Sequence, residues 1–287
     1  MLTKSVKFTN FKIKTNSLLI KKKLISLLKS KNEILNSLSQ NYKDNFTKKI
    51  LLKYKRNTDY RVIGMGGSSI GTQTIYDFLK HKIKKKFVFS DNLQVNLIKD
   101  KKKYTNLIIS KSGNTIETIV NANIFIKKKD RNIFITENKN SYLLNLAKKL
   151  KSDIIHHNNY IGGRYSVLSE VGMLPAELMG LKASNFRQLN NLIKNKRFIN
   201  SLISNVSSTL YFIKKKKFNS VIINYDERSE NLFNWYQQLI AESLGKKKKG
   251  LLPIISNMPK DNHSTMQLYL DGFKNNFFTF FYVNEKN

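Results

Sequence analysis

The sequence contains no cysteine, which excludes disulfides and thiolate metal sites, and nothing in it argues for an oxidising compartment. Long apolar runs are missing too. Near the N-terminus, Leu18-Leu19-Ile20 is broken at once by Lys21-Lys22-Lys23, so neither a signal peptide nor a membrane span is read, and a cytoplasmic protein without a membrane partner is expected. Acidic residues are scarce, 19 against 52 lysines and arginines, for a formal net charge of +33. A charge of that size attracts polyanions in a salt-dependent way. The lysines, however, fall in short scattered runs, Lys84–Lys86, Lys101–Lys103, Lys127–Lys129, Lys214–Lys217 and Lys246–Lys249, several of which follow periodic apolar segments. No nucleic-acid module is recognisable, and no specific nucleic-acid partner is expected. With 40% hydrophobic residues over 287 positions the chain is globular, long enough for one large core or two modest ones.

The chain is organised around Arg61–Leu79, RVIGMGGSSIGTQTIYDFL, which runs from an apolar strand through a glycine-rich turn into a helix marked by Ile75, Phe78 and Leu79. Between them lie Gly64, Gly66, Gly67, Ser68, Ser69 and Gly71. Glycine lets the backbone turn sharply and approach a ligand, and the N–H groups of the helix that follows favour an anion. Two familiar glycine loops are excluded. No lysine follows Gly67, as a nucleoside-triphosphate loop requires, and the third glycine of a dinucleotide fingerprint is replaced by Ser69. The serines suit a small phosphorylated ligand; a plain strand-to-helix turn fits the same pattern.

Residues 1–55 read as a polar, lysine-rich helical lead-in, with Leu24, Leu27 and Leu28 and then Ile34, Leu35 and Leu38 at helical spacing. From Tyr60 to His157, β-rich runs alternate with helical ones. The expected strands are Arg61–Gly64, Phe87–Ser90, Leu107–Ser110, Asn132–Thr136 and Asp153–His156, with the 91–104 connection poorly marked. Such alternation predicts an α/β fold with a doubly wound parallel sheet, whose ligands bind beyond the carboxyl ends of the strands.

The third strand leads into Ser110-Lys111-Ser112-Gly113-Asn114-Thr115-Ile116-Glu117-Thr118. A helix begins inside it, with Ile116, Ile119, Val120 and Ile124 on one face and Ser112 or Asn114 as its cap. Four hydroxyls in nine residues suit a phosphate, or simply cap and turn the chain. Farther on, Gly162-Gly163 directly before Arg164 suggests a backbone pressed close to whatever the guanidinium touches, and Pro175–Leu181 reads as a helix. Residues 181–217 read as mostly helical, followed by a strand at Ser220–Asn224. Asn231–Gly250 is the strongest single helix, with Leu232, Trp235, Tyr236, Leu239 and Ile240 in one stripe. Gln238 and Glu242 share a face beside that stripe. A carboxylate at a helix C-terminus is disfavoured by the dipole, which would suit general-base work or a solvated helix end. Gly250–Ser256 reads as a strand, Met266–Leu270 as a helix and Phe277–Val283 as a strand. Of the four histidines, only His263 stands in a crowded polar setting, and no second metal ligand accompanies it at a suitable spacing.

Together, Gly64–Gly71, Ser110–Thr118, Gly162–Leu168, Gln237–Gly250 and Asp261–Gly272 resemble, in order, the motifs of the glucose-6-phosphate isomerase family. The likeness covers residues 60 to 283 and is most specific in GGRYSVLSEVGMLPAELMG and WYQQLIAESLGKKKKGLLPIIS. It implies aldose-ketose interconversion between glucose 6-phosphate and fructose 6-phosphate, a step of glycolysis and gluconeogenesis, with no cofactor and no metal. By resemblance, Gly67, Ser68, Ser110, Lys111, Ser112 and Thr115 bind the phosphate, and Glu117 and Gln238 line the sugar. Glu242 is the base between C2 and C1, Arg164 stabilises the enediolate, and His263 opens the sugar ring. The resemblance also implies a homodimer and two sugar-isomerase subdomains, at 56–180 and 181–287 after the 1–55 lead-in. The second would be incomplete, because a C-terminal lysine of the family has no counterpart here. A sugar-phosphate-binding protein of the same fold with impaired catalysis is the alternative.

Overall fold

The computed structural model describes residues 6, 7, 9, 17–93 and 102–284; most of the 91–104 connection, with Lys101, lies outside them. The chain opens with helices α1 (Leu18–Lys29), α2 (Glu33–Ser37) and α3 (Lys48–Tyr54). There follow β1 (Asp59–Ile63), α4 (Ile70–Leu79), β2 (Lys86–Ser90), β3 (Thr105–Ile109), α5 (Ile116–Phe125), β4 (Arg131–Thr136), α6 (Tyr142–Lys149), β5 (Asp153–His156) and α7 (Glu170–Leu178). The remainder holds α8 (Ala183–Phe186), α9 (Leu189–Leu192), α10 (Lys196–Lys214), β6 (Asn219–Asn224), α11 (Glu230–Leu244), β7 (Leu252–Asn257), α12 (Met266–Asp271) and β8 (Asn276–Phe281). Two compact units result: Asn41–Phe186, and Met1–Gln40 together with Arg187–Asn287.

In the Asn41–Phe186 unit, five strands form a parallel sheet in the order β2-β1-β3-β4-β5. Helices flank it, as the alternating pattern implies. β3 is central and every one of its residues is buried, which is why its second half reads as the aliphatic run Leu107–Ile109; the buried Asn106 of its first half donates to Asn132 of β4 at 2.8 Å. Register places Ile63, Ile108, Phe134 and Ile154 in one row across four strands. That row packs on Ala122 of α5 and on Leu143 and Ala147 of α6. Burying each large side chain of this kind stabilises the fold by about 1.5–3 kcal/mol. Elsewhere Tyr60 stacks on Phe87 with ring centroids 4.6 Å apart, and Tyr76 of α4 lies against the same phenylalanine.

Two helices differ from their sequence patterns. α7 begins at Glu170, five residues before the expected Pro175, and Ser169 Oγ caps it by accepting from Val171 N. Eight of its nine residues are buried, so no polar face marks its start in the sequence. Pro175 sits inside the helix and has no N–H for the carbonyl of Val171; Thr72 Oγ1 of α4 donates to that carbonyl instead, at 3.4 Å. α5 buries Thr118, Asn121 and Ala122, whereas Ile116, Val120 and Ile124 of its apolar stripe are exposed. Neither Ser112 nor Asn114 caps it: the N-cap is Thr115, whose hydroxyl is engaged elsewhere.

In the other unit, β7-β6-β8 form a three-stranded parallel sheet with β6 at its centre. Val221 and Ile223 of β6 pack with Ile254, Met258, Met266 and Tyr269. Phe277 stacks on Phe212 of α10 at 4.9 Å, and Phe281 meets Phe233 of α11 edge-on at 5.0 Å. The expected helical stretch 181–217 is broken into α8, α9 and α10. The apolar stripe of α11 is half-buried, and Gln237 Nε2 donates to Pro253 O of β7 at 2.9 Å. This helix stops at Leu244, not Gly250. Gly245 N closes it on Ala241 O, and Lys246–Lys249 turn back as a tight hairpin with Lys247 and Lys248 at φ 51° and 58°.

Candidate functional site

The strand order of the five-stranded sheet reverses between β1 and β3, and ligands in open parallel sheets gather at the carboxyl ends of the strands beside such a reversal. Both sequence-marked turns lie there. The glycine turn leaves β1 and the serine run leaves β3; Gly64 is so close to β3 that a Cβ on it would stand 3.1 Å from Ile109 O.

After β1 the backbone forms a short 3₁₀ turn, Gly66–Ser68, before α4. Gly66 has φ +52°, the left-handed region that glycine adopts without penalty. Gly67 is buried for a different reason: a Cβ there would meet the carbonyl of Gly163 and stand 2.6 Å from Arg164 N. Gly71 likewise leaves room for Val167. The glycines at 67 and 71 therefore seat the arginine-bearing turn against the first glycine turn. Conversely, a Cβ on Gly163 meets nothing within 4 Å and one on Gly162 makes only ordinary contact, so the close approach falls on Gly67 and not on the double glycine. Ser166 Oγ ties the turns together, with Gly163 O at 2.7 Å and Gly67 O at 3.3 Å as acceptors. Ser68 is half-buried at the end of the 3₁₀ turn, and Arg164 lies with its guanidinium 4.5 Å from the centre of its neighbour's ring, Tyr165.

The serine run closes on itself. Ser110 Oγ, buried, lies 2.9 Å from Thr115 Oγ1 and accepts from Gly113 N at 3.2 Å. Ser112 is exposed, and its Oγ accepts from Asn114 N at 3.2 Å. Gly113, at φ +67°, has no space for a Cβ beside Ser141. Glu117 is half-buried in the first turn of α5. Lys111 is held by acceptors beyond the run: its ammonium donates to Asn159 O at 2.9 Å and pairs with Glu137 at 3.3 Å. Two hydroxyls, a glycine turn and the N-terminus of a ten-residue helix thus converge where a phosphate dianion is favoured.

The remaining candidates belong to the other unit. On α11, Gln238 Nε2 donates to Glu242 Oε1 at 2.8 Å, which fixes the carboxylate one helical turn from the amide. Gln238 Oε1 is buried and accepts no hydrogen bond among the described residues, and Glu242 is exposed. His263 ends a short 3₁₀ turn, Lys260–His263, and is also exposed. Beside it Asp261 accepts from Asn257 N at 2.8 Å and from Ser264 Oγ at 3.3 Å.

The crowded histidine is not His263 but His157. Its side chain is 1% exposed, with Nδ1 2.7 Å from Glu170 Oε1 and Nε2 3.0 Å from Ile161 O. Glu170 also accepts from Asn158 N at 2.8 Å and from Tyr42 OH at 3.1 Å. Burial opposes ionisation of Glu170, but the hydrogen bonds from His157 and from backbone N–H groups outweigh it and hold the carboxyl below its ordinary value. The same carboxylate and burial push the Tyr42 hydroxyl up, burial most. Sequence spacing carries no sign of this pair, because its members stand on different elements thirteen residues apart. Among the described residues no group of three or more histidines and carboxylates is placed to hold a metal ion, and no helix is long and apolar enough to cross a membrane.

Comparison with known proteins gives concordant matches. The phosphoglucose isomerase family profile matches residues 52–250. The glucose-6-phosphate isomerase of Methanocaldococcus jannaschii is 36% identical over 250 residues, covering 79% of this chain and 61% of that protein. The enzyme of the same name from Mycoplasma genitalium is 33% identical over 244 residues, covering 76% of this chain and 56% of its own length. The chain thus spans about six-tenths of the length of the relatives it matches. Among solved structures, a hypothetical protein from Thermus thermophilus superposes with a TM-score of 0.71 at 22% identity, over 92% of this chain and 69% of that one. A glucose-6-phosphate isomerase from Chlamydia trachomatis gives 0.61 at 19% identity, over 86% and 52%. At those identities the structures speak for the fold alone.

Proposed function

The chain belongs to the phosphoglucose isomerase family, and on that premise we propose that it grips the phosphate of a sugar phosphate and interconverts glucose 6-phosphate and fructose 6-phosphate. The observation that carries the reading is the pairing of Ser110 and Thr115 hydroxyls, 2.9 Å apart, at the reversal of strand order beside the glycine turn and Ser68. Such a site anchors the dianionic end of the sugar, and anchoring turns proton transfer at the other end into an intramolecular event.

In this reading Glu242 takes the proton from C2 of the open-chain aldose and returns it to C1. The electron pair released from the C2–H bond becomes the second C1–C2 bond of an enediolate as the C1–O1 π pair moves onto O1; the O2 hydroxyl proton passes to O1, and protonation at C1 then forms the C2–O2 carbonyl from the charged oxygen. Arg164 supplies fixed positive charge to that oxygen, and His263 moves protons between ring oxygen and hydroxyl as the ring opens. Gln238 supports the scheme by donating to Glu242, which orients the carboxylate. Ser112, Lys111 and Glu117 complete the sugar-phosphate surroundings, and a homodimer is the proposed assembly. The exposure of both Glu242 and His263 favours a second reading, sugar-phosphate binding without turnover.

Isomerase activity of the purified chain, compared with Glu242→Gln, tests the proposal. Turnover by the wild type and none by the variant is expected, with fructose 6-phosphate bound by both. Equal turnover by the two removes Glu242 from the base role, and binding without turnover by either selects the second reading.

A further inference from the structure

The His157–Glu170 pair stands apart from the roles given above. Both side chains are excluded from solvent, at 1% and 0% exposure. The two ring nitrogens of His157 face the Glu170 carboxylate at 2.7 Å and the Ile161 carbonyl at 3.0 Å, so the ring bridges the two. A buried polar pair adds little net stability over apolar packing of the same volume, but it holds its neighbours in one arrangement.

What it holds is the segment leading to Arg164. Glu170 Oε1 accepts directly from Asn158 N, the first residue of the segment, and His157 carries the tie from the same oxygen to the carbonyl of Ile161, its last. Ile161 is fully buried, and Arg164 follows three residues later in the turn that α7 packs against. Between the two ties, Lys111 of the serine run donates to Asn159 O while pairing with Glu137. Glu170 itself stands on the first turn of α7, where the helix dipole favours its charge, and its second oxygen accepts from Tyr42, near Asp44.

We infer that His157 and Glu170 are positioning residues for Arg164: the pair fixes residues 158–161 and so sets where the guanidinium stands when charge develops on the substrate. The inference rests on the reading of Arg164 as the enediolate-stabilising group. Its consequence is specific to the transition state. Loosening the segment lowers turnover while leaving the phosphate anchor, and so sugar-phosphate affinity, in place.

The test is residue-resolved amide hydrogen exchange on the full chain, with isomerase kinetics and fructose 6-phosphate titration alongside. Glu170→Gln is the main variant. His157→Gln is the second, keeping the donor toward Ile161 and losing the carboxylate contact. His157→Asn retains a donor where Nδ1 stands, and Tyr42→Phe leaves the pair intact. Exchange of residues 158–164 in Glu170→Gln is expected to rise about tenfold or more, with β3 amides changed less than about twofold. The kcat is expected to fall about tenfold with affinity within about twofold, and His157→Asn to recover part of both losses. Tyr42→Phe is expected to change neither. If Glu170→Gln does not fold, His157→Gln is judged by the same criteria. Exchange that stays unchanged in 158–164, or that rises equally in β3, overturns the positioning role. A segment that loosens locally in a chain with no sugar-phosphate binding leaves the clamp standing and removes the functional reading instead.

Discussion

Replacing Gly67 by alanine tests the packing of the two turns on each other. The added methyl would stand 2.6 Å from Arg164 N and closer still to the carbonyl of Gly163, where ordinary contact begins near 3.4 Å. Both obstacles are backbone, so no rotamer change relieves them; one turn has to move by most of an ångström. Overpacking of a well-filled interior costs about 1–3 kcal/mol, and the rigidity of both partners puts this case at about 3. Gly163→Ala is the control, because its Cβ meets nothing within 4 Å; its cost is expected within about 0.5 kcal/mol. Slow amide exchange at Leu107 and Ile108 of β3 measures both. A loss of about 3 kcal/mol appears as exchange faster by roughly a hundredfold. Gly67→Ala within about 0.5 kcal/mol of wild type, or Gly163→Ala equally costly, would refute the reasoning.

Three further outcomes are expected. Ser110→Ala leaves Gly113 N and Thr115 Oγ1 without their buried partner, so thermal denaturation should show a loss of about 1–3 kcal/mol, and sugar-phosphate titration should show weaker binding. Phe134→Ala empties the middle of the row across β1, β3, β4 and β5 and should cost about 3–5 kcal/mol in urea unfolding, where less than 1 would contradict the packing described. Glu170, with its folded pKa depressed, contributes stability above its unfolded value near 4.3 and loses it as pH falls through the lower folded value. The melting temperature should therefore drop on acidification below about pH 4, and Glu170→Gln should flatten that limb; an identical acid limb in the variant would contradict the assignment.

The parallel sheets are legible in the sequence for a physical reason. Strands buried on both faces carry short apolar runs, Leu107–Ile109 in β3, Ile133–Ile135 in β4 and Val221–Ile223 in β6, so the limits of these strands fall within two residues of expectation. Helices without a polar face are harder to place. α7 hides its start because nearly all of it is buried, and Pro175 looks like a first helical residue when Thr72 in fact compensates for it. Gly245 marks the end of α11, but the Lys246–Lys249 run after it carries no glycine or asparagine although Lys247 and Lys248 adopt left-handed backbone, so the helical pattern reads on to Gly250. In the candidate site, the hydroxyl run and the glycine turn are visible as local patterns, and the roles proposed for Arg164, Glu242 and His263 rest on family likeness. The Gly67–Gly163 contact and the His157–Glu170 pair join separate elements, and no local pattern carries them.

The most direct measurement is an amide chemical-shift titration of the isotopically labelled chain with fructose 6-phosphate and, separately, with fructose. Saturable shifts are expected at Gly64–Ser69 and Ser110–Glu117 with the phosphorylated sugar and none there with fructose. Equal responses to the two sugars, or shifts with fructose 6-phosphate that spare both turns, would contradict a phosphate grip at the reversal of strand order between β1 and β3.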